Sequence, residues 1–141
     1  MQLVTRTQIE KLQAAGALLP QFQPVTEHYF SNGMYIRKAA LPKDLMIVGK
    51  VHKHPHFFVL AEGEMIVIDE HGRRTIHSGD VICSDAGTKR VLLCVTDCIA
   101  MNVHKTDKTD LDEIEAELIE PDDSALFDSR NMLKDKALTC T

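Results

Sequence analysis

The recurrence of glycine constrains this 141-residue chain more than any other feature of its sequence. Between residues 33 and 87 a glycine returns every 7 to 16 residues. The segments between the glycines are short apolar runs, such as MYIRKAAL, HFFVLA and EMIVIDE. The separators, such as DEHGRR over 69–74, are interpreted as turns. Short strands separated by turn residues at this spacing are typical of an antiparallel sandwich or barrel. The pattern predicts an all-β fold with about seven or eight strands.

Helical periodicity is confined to the two ends of the chain. Residues 7–18 carry apolar residues at helical spacing, and Thr7 with Glu10 predicts a capping box there. The segment LDEIEAELI predicts a second, acidic helix that is capped by Thr109 and ends before Pro121. We therefore divide the chain into an N-terminal helix and connector over 1–28, a β-domain over 29–104, and an acidic helix and tail over 105–141.

Charge is distributed unevenly between these parts. The net charge is −5, and residues 105–141 hold 11 acidic and 5 basic residues, whereas all seven histidines lie before residue 105. Because a net negative chain lacks a basic surface, we expect no nucleic-acid partner. No apolar run is long enough to span a membrane and no signal peptide is visible, so we expect a cytoplasmic protein without a membrane partner. The acidic tail is interpreted as a loosely packed segment or an oligomer arm.

The cysteines, at positions 83, 94, 98 and 140, form no C-x-x-C pair. Such spacing does not fit a zinc ribbon. The first three lie in apolar runs, so they are interpreted as buried free thiols in a reducing compartment. Because sheets of this kind often pair through their edges, we also expect a homodimer or a higher homo-oligomer.

The histidines at 52, 54 and 56 are the strongest functional signal. In an extended strand, side chains at i, i+2 and i+4 share a face, so His52, His54 and His56 are predicted to converge. Three imidazoles can hold one divalent ion (iron, nickel, manganese or zinc) with coordination positions left for a ligand. The alternative is a solvated edge strand, in which Lys53 and Pro55 discourage pairing.

The same stretch resembles the first motif of the cupin superfamily, G-x5-H-x-H-x3–4-E-x6-G. His52 and His54 correspond to the H-x-H pair, Gly63 to the closing glycine, and His56 to the position of the glutamate. The resemblance covers roughly residues 30–104. It implies a β-barrel of the double-stranded β-helix or jelly-roll type, with a ligand pocket inside it.

The second cupin motif is G-x5-P-x-G-x2-H-x3-N. Its spacing is present in this sequence, but its metal-binding histidine is replaced. Arg90 stands where the family has its last histidine, and Cys94 where it has asparagine. A guanidinium does not bind a metal ion and repels a nearby cation unless an anion lies between them. Arg90 therefore either clamps an acidic substrate beside a three-histidine metal site or, without metal, forms an anion-binding pocket with the histidines. A surface salt bridge with Asp85 is the structural alternative.

Segments such as HKHPHFFVLAEGEMIVID also resemble small cupin-like proteins of tailed phages, in which case the location is the host cytoplasm. The favoured hypothesis is a module that binds, and so sequesters, a small polar, anionic metabolite or nucleotide-type signal. The alternatives are a metal-dependent enzyme, either an oxygenase or an isomerase, and an assembly protein with a vestigial pocket. The candidate ligand-binding residues are Tyr35, Arg37, His52, His54, His56, Lys89, Arg90 and His104, and the candidate metal ligands are His52, His54 and His56.

Overall fold

The computed structural model of the chain describes residues 5–19 and 21–121, and these form two helices and nine strands. The elements are, in order, α1 Arg6–Gly16, β1 Val25–Ser31, β2 Met34–Leu41, β3 Met46–Val48, β4 His56–Glu62, β5 Glu64–Asp69, β6 Gly72–His77, β7 Val81–Ser84, β8 Val91–Cys94, β9 Cys98–Lys105 and α2 Leu111–Leu118. In this part of the chain, neither helix is long and apolar enough to cross a membrane.

The strands form two antiparallel sheets. The five-stranded sheet has the order β1-β2-β9-β4-β7, and the four-stranded sheet has the order β3-β8-β5-β6. The sheets face each other around one interior but do not close into a continuous barrel. The predicted all-β class with a helix at each end is therefore confirmed, as an open double-stranded β-helix.

The interior is divided along the strands into two ends. One end is an apolar core, in which Leu60 and Met65 are completely buried. The members of this core are Leu41, Phe58, Leu60, Met65, Val67, Ile76, Leu92, Cys94, Cys98 and Ala100. Because alternate residues share a face, the same strands carry polar side chains inward at the other end, which we call the polar end. Its members are Tyr35, Arg37, His56, Asp69, Arg74, Ser84, Arg90, Asn102 and His104.

The first helix packs on the outer side of the four-stranded sheet. Its capping box is formed by Thr5 and Gln8 rather than by the predicted Thr7 and Glu10. Ile9 is 1% exposed, and Gly16 lies so close to Met46 of β3 that a Cβ atom would stand 3.3 Å from its Cε. The helix therefore covers apolar surface that β3 presents outward.

The second helix lies across the polar end. Asp110 caps it by accepting a hydrogen bond from the Glu113 N–H, which corrects the predicted cap at Thr109. The helix is attached to the segment before β4, where the Lys53 N–H donates to the Leu118 carbonyl at 2.7 Å. Buried Leu118 and Ile114 pack against Tyr35. The C-terminal helix thus forms one wall of the interior.

Three further predictions can be compared with the structure. Strand β1 begins at Val25, before the predicted start of the β-domain, and β6 occupies the Gly72–His77 segment, part of which was interpreted as a turn. Cys94 and Cys98 are buried free thiols as predicted, whereas Cys83 is exposed because it lies on the outer face of an edge strand. Cys140 and the part of the predicted tail from 122 onward lie outside the described residues.

Candidate functional site

Three histidines meet at the polar end of the interior. One nitrogen from each ring of His52, His56 and His104 can be chosen so that all three atoms lie within 4.8 Å of one another. The rings are stacked in pairs, with centroid distances of 4.1 to 4.8 Å. The closest approach is 3.0 Å, between His52 Nδ1 and His104 Nε2. This is a compact set of three possible metal ligands.

Strand pairing explains why His104 joins this cluster. β4 and β9 are neighbours, with Phe57 opposite Val103, so His56 and His104 project from adjacent strands toward the interior. His52 precedes β4 and is placed by a single bridge to Ile119, after α2. His104 therefore joins the cluster from a part of the sequence that is distant from His52 and His56.

His54 is not brought into the cluster, which corrects the predicted ligand set. Residues 53 and 54 form a bend, so the strand alternation on which the prediction relied does not extend back to His52. The His54 side chain is exposed, but its carbonyl lies 3.2 Å from His56 Nδ1. A hydrogen bond donated by His56 Nδ1 leaves the lone pair on Nε2 free to bind a ligand.

The cluster favours neutral imidazoles. Burial lowers the pKa of His52 to about 2, and the neighbouring His56, His104, Arg37 and Arg90 contribute to that shift. Burial likewise lowers the pKa of His104 to about 3 and, to a lesser extent, the pKa of His56. Since only the neutral imidazole offers a lone pair, these rings are ready to bind metal at neutral pH.

Aromatic side chains support His104 from the first two strands. The buried ring of Tyr35 stacks on His104 with centroids 6.4 Å apart, and Phe30 stacks on Tyr35 at 5.1 Å. The Tyr35 hydroxyl lies 2.6 Å from His28 Nδ1. Burial lowers the pKa of His28, so its ring is a neutral acceptor for the tyrosine proton. His28, which carried no signal in the sequence, is therefore part of the site's supporting structure.

Arg90 faces the interior but interacts with a carboxylate rather than with the histidines. Its Nε lies 3.8 Å from the carboxylate of Asp69, which is completely buried, and its Nη1 donates to Ser84 Oγ at 2.9 Å. Asp69 also contacts Arg74 at 3.5 Å. This buried ion cluster replaces the surface salt bridge with Asp85 that was the structural alternative for Arg90.

A cavity of about 40 Å³ lies between the histidines and α2. Its polar lining includes four residues predicted for the site, Tyr35, Arg37, His52 and His104, whereas His56 does not line it. Lys50, Asn102 and Glu115 also line it and were not predicted. Lys89 is buried but does not line this cavity.

Sequence spacing offered a signal for two of the missed residues. Asn102 precedes His104 by two positions on β9, and Lys50 precedes His52 by two, which are the spacings of residues that share a face. Glu115 carried no such signal, because it is one of several acidic residues on α2. Only the fold shows that Glu115 faces the cavity.

Comparison with solved structures identifies the fold. The chain is similar to a cupin superfamily protein from Desulfitobacterium hafniense, with a TM-score of 0.53 and 10% identity over 63% of this chain and 83% of that chain. It is also similar to an RmlC-like cupin family protein with a double-stranded β-helix fold from Methanocaldococcus jannaschii, with a TM-score of 0.50 and 14% identity over 59% and 80%. No family model matches the sequence, and no curated protein matches it significantly.

These likenesses and the two facing sheets define the class of the molecule as a cupin fold. At this level of identity they define the fold alone, and neither neighbour indicates a phage origin. The function must therefore be inferred from the residues of the site.

Proposed function

We propose that the chain binds a small anionic molecule at the polar end of its interior, together with a divalent metal ion held by His52, His56 and His104. The observation that carries this proposal is the approach of the three imidazoles to within 4.8 Å of one another. Imidazole suits zinc, iron and nickel, which are among the ions that the sequence suggested. A bound ion would supply positive charge and open coordination positions at the bottom of the pocket.

The surrounding cations favour an anionic ligand. Arg37 and Lys50 line the cavity, and Arg37 is close enough to lower the pKa of His52 and of His104. A guanidinium beside a divalent ion repels it, and an anion placed between them removes that repulsion. Carboxylates and phosphates match the planar donor geometry of arginine. We therefore infer that metal and anion bind together more tightly than either does alone.

A metal-dependent enzyme is the second candidate function. Three histidine ligands leave coordination positions for a substrate, as catalytic sites require. The pair of Tyr35 and His28, 2.6 Å apart, could hold a proton beside the cluster. Turnover by metal-loaded protein, lost in a Tyr35→Phe variant that still binds metal, would favour this candidate.

A titration with Co²⁺ tests the proposed site. The full chain is expected to bind one equivalent with the absorption of a nitrogen-ligated ion, and His104→Ala should weaken binding at least about tenfold, as loss of a ligand does. His54→Ala is the matched control, because His54 lies beside the site but is exposed. No Co²⁺ uptake, or equal weakening in both variants, would overturn the metal assignment.

A further inference from the structure

The cavity beside α2 is small for the ligand that its walls suit. Its volume is about 40 Å³ and it is partly open to solvent, whereas pockets that hold metabolites usually enclose roughly 300 Å³ or more. A carboxylate or phosphate compound could therefore not be enclosed here while α2 stays where it is. Enclosing it requires the wall that α2 supplies to move.

The wall that α2 supplies includes a carboxylate placed among cations. Glu115 forms an ion pair with Lys50, and both line the cavity with Arg37. Burial lowers the pKa of Arg37, and the nearby Glu115 partly offsets that shift. The Glu115 carboxylate therefore occupies the position at which a bound anion would make its favourable contacts.

The attachment of α2 is suited to reversible opening. The helix has 8 residues, and a helix this short depends on tertiary contacts for its stability. Of its own residues, only Ile114 and Leu118 are buried. Its ion pair with Lys50 is partly exposed, whereas its C-terminal end is held by backbone hydrogen bonds from the Lys53 N–H to Leu118 and from the Glu120 N–H to Val51. The helix is therefore expected to pivot about this end. Release of this helix does not disturb the apolar core at the opposite end.

We propose that Arg37 and Lys50 form an anion-binding subsite and that α2 closes it by placing Glu115 where the carboxylate or phosphate of the ligand binds. The ligand displaces Glu115, and α2 swings away to enlarge the pocket. This inference rests on the proposed function for the identity of the pocket, but it concerns residues outside the three-histidine cluster.

Inorganic phosphate, titrated calorimetrically into the metal-free full chain, tests this subsite. Glu115→Gln should bind phosphate about tenfold more tightly than the parent, because it removes the internal competitor. Glu117→Gln is the matched control, since it removes the same charge from the same helix but its carboxylate contacts Thr106 at 3.1 Å. Adding Arg37→Met to Glu115→Gln should abolish the gain. Equal affinities in the Glu115 and Glu117 variants would overturn the proposal.

Hydrogen exchange on the parent chain keeps the test independent of any variant. Saturating phosphate should accelerate amide exchange over Leu111–Leu118, because the ligand releases the helix. Unchanged or slower exchange would contradict the displacement. Normal Co²⁺ uptake with no effect of Glu115→Gln would refute the subsite alone. Failed Co²⁺ uptake would refute the metal assignment and leave the phosphate result to be judged separately.

Discussion

The two ends of the interior are built on the same strands and carry opposite chemistry. Along β4 the inward side chains run from His56 to Leu60, and along β9 they run from His104 back to Ala100. The apolar end buries aliphatic and sulfur-containing side chains completely. The polar end gathers three imidazoles and a buried ion cluster under a short helix. The fold therefore separates the residues of its apolar core from those of the candidate binding site.

This separation explains how the chain can keep polar groups inside. Polar and charged side chains are costly to bury without partners. At the polar end, Asp69 is surrounded by Arg74, Arg90 and the His71 N–H, and His52 lies against His104. The apolar end supplies most of the hydrophobic free energy, so substitutions in the two regions should differ in their cost.

The largest effect is expected at the apolar end. Leu60→Ala removes a side chain that is 0% exposed and should lower the free energy of unfolding by about 2–5 kcal/mol, since a cavity remains. His104→Ala at the polar end removes one hydrogen bond, to His52, and the stacking of its ring on His52, His56 and Tyr35, and should cost less, about 1–2 kcal/mol. Urea denaturation of both variants measures the contrast. A larger loss for His104→Ala would mean that the polar end is the stabilising region.

The next effect concerns the buried carboxylate. Asp69→Asn leaves Arg90, whose side chain is 11% exposed, without its counter-charge and should cost about 2 kcal/mol. Adding Arg90→Met should recover much of that loss, because the unpaired charge is then removed. Thermal unfolding of the single and double variants checks the recovery. A double variant less stable than Asp69→Asn would show that Arg90 has stabilising partners beyond Asp69.

The sequence predicted the strands that carry apolar runs better than the strands that carry charge. The run MYIRKAAL coincides with β2, Met34–Leu41. The β6 segment, Gly72–His77, was partly interpreted as a turn because Arg73 and Arg74 follow a glycine. Pairing with β5 nevertheless makes it a strand, with Ile76 buried inside. Where the local composition was ambiguous, pairing with a neighbouring strand determined the secondary structure.

For the site, local spacing predicted its region but not its full membership. His52 and His56 were predicted as ligands because they lie close together in the sequence. His54 was predicted with them, but a bend at residues 53 and 54 leaves its side chain exposed. His104 belongs to the three-histidine cluster because β4 pairs with β9, and no local sequence pattern encodes that pairing. Glu115 required knowledge of where α2 packs. Contacts between distant segments were the information that the sequence alone did not provide.

The pH dependence of stability provides a smaller effect confined to the polar end. The folded pKa values of His52 and His104 are about 2 and about 3, below the unfolded value of about 6.5. As the pH falls through 6.5, the unfolded state therefore takes up protons that the folded state does not. Between about pH 7.5 and pH 6, each histidine should reduce stability by about 1 kcal/mol.

Chemical denaturation across this pH range checks the assignment. His104→Gln should remove its own share of the slope, while His52, His56 and His28, whose pKa values are also lowered, supply the rest. Adding zinc should steepen the response if the cluster binds it, because protons then compete with metal for the same imidazoles. A flat stability profile would show that the two rings are accessible to protons in the folded state.

The smallest effect is expected from the ion pair that closes the polar end. Lys50 and Glu115 are 20% and 32% exposed, so solvent screens their attraction. A double-mutant cycle with Lys50→Met and Glu115→Gln should give a coupling free energy of about 0.5–1 kcal/mol in unfolding experiments. Such a weak coupling is what a displaceable helix requires, because a ligand must overcome it. The cycle repeated with Thr106→Val and Glu117→Gln provides a reference on the same helix. A Lys50–Glu115 coupling free energy above about 3 kcal/mol would be in the range of a buried pair. It would show that α2 is a fixed part of the fold, so that a ligand could not displace it from the polar end.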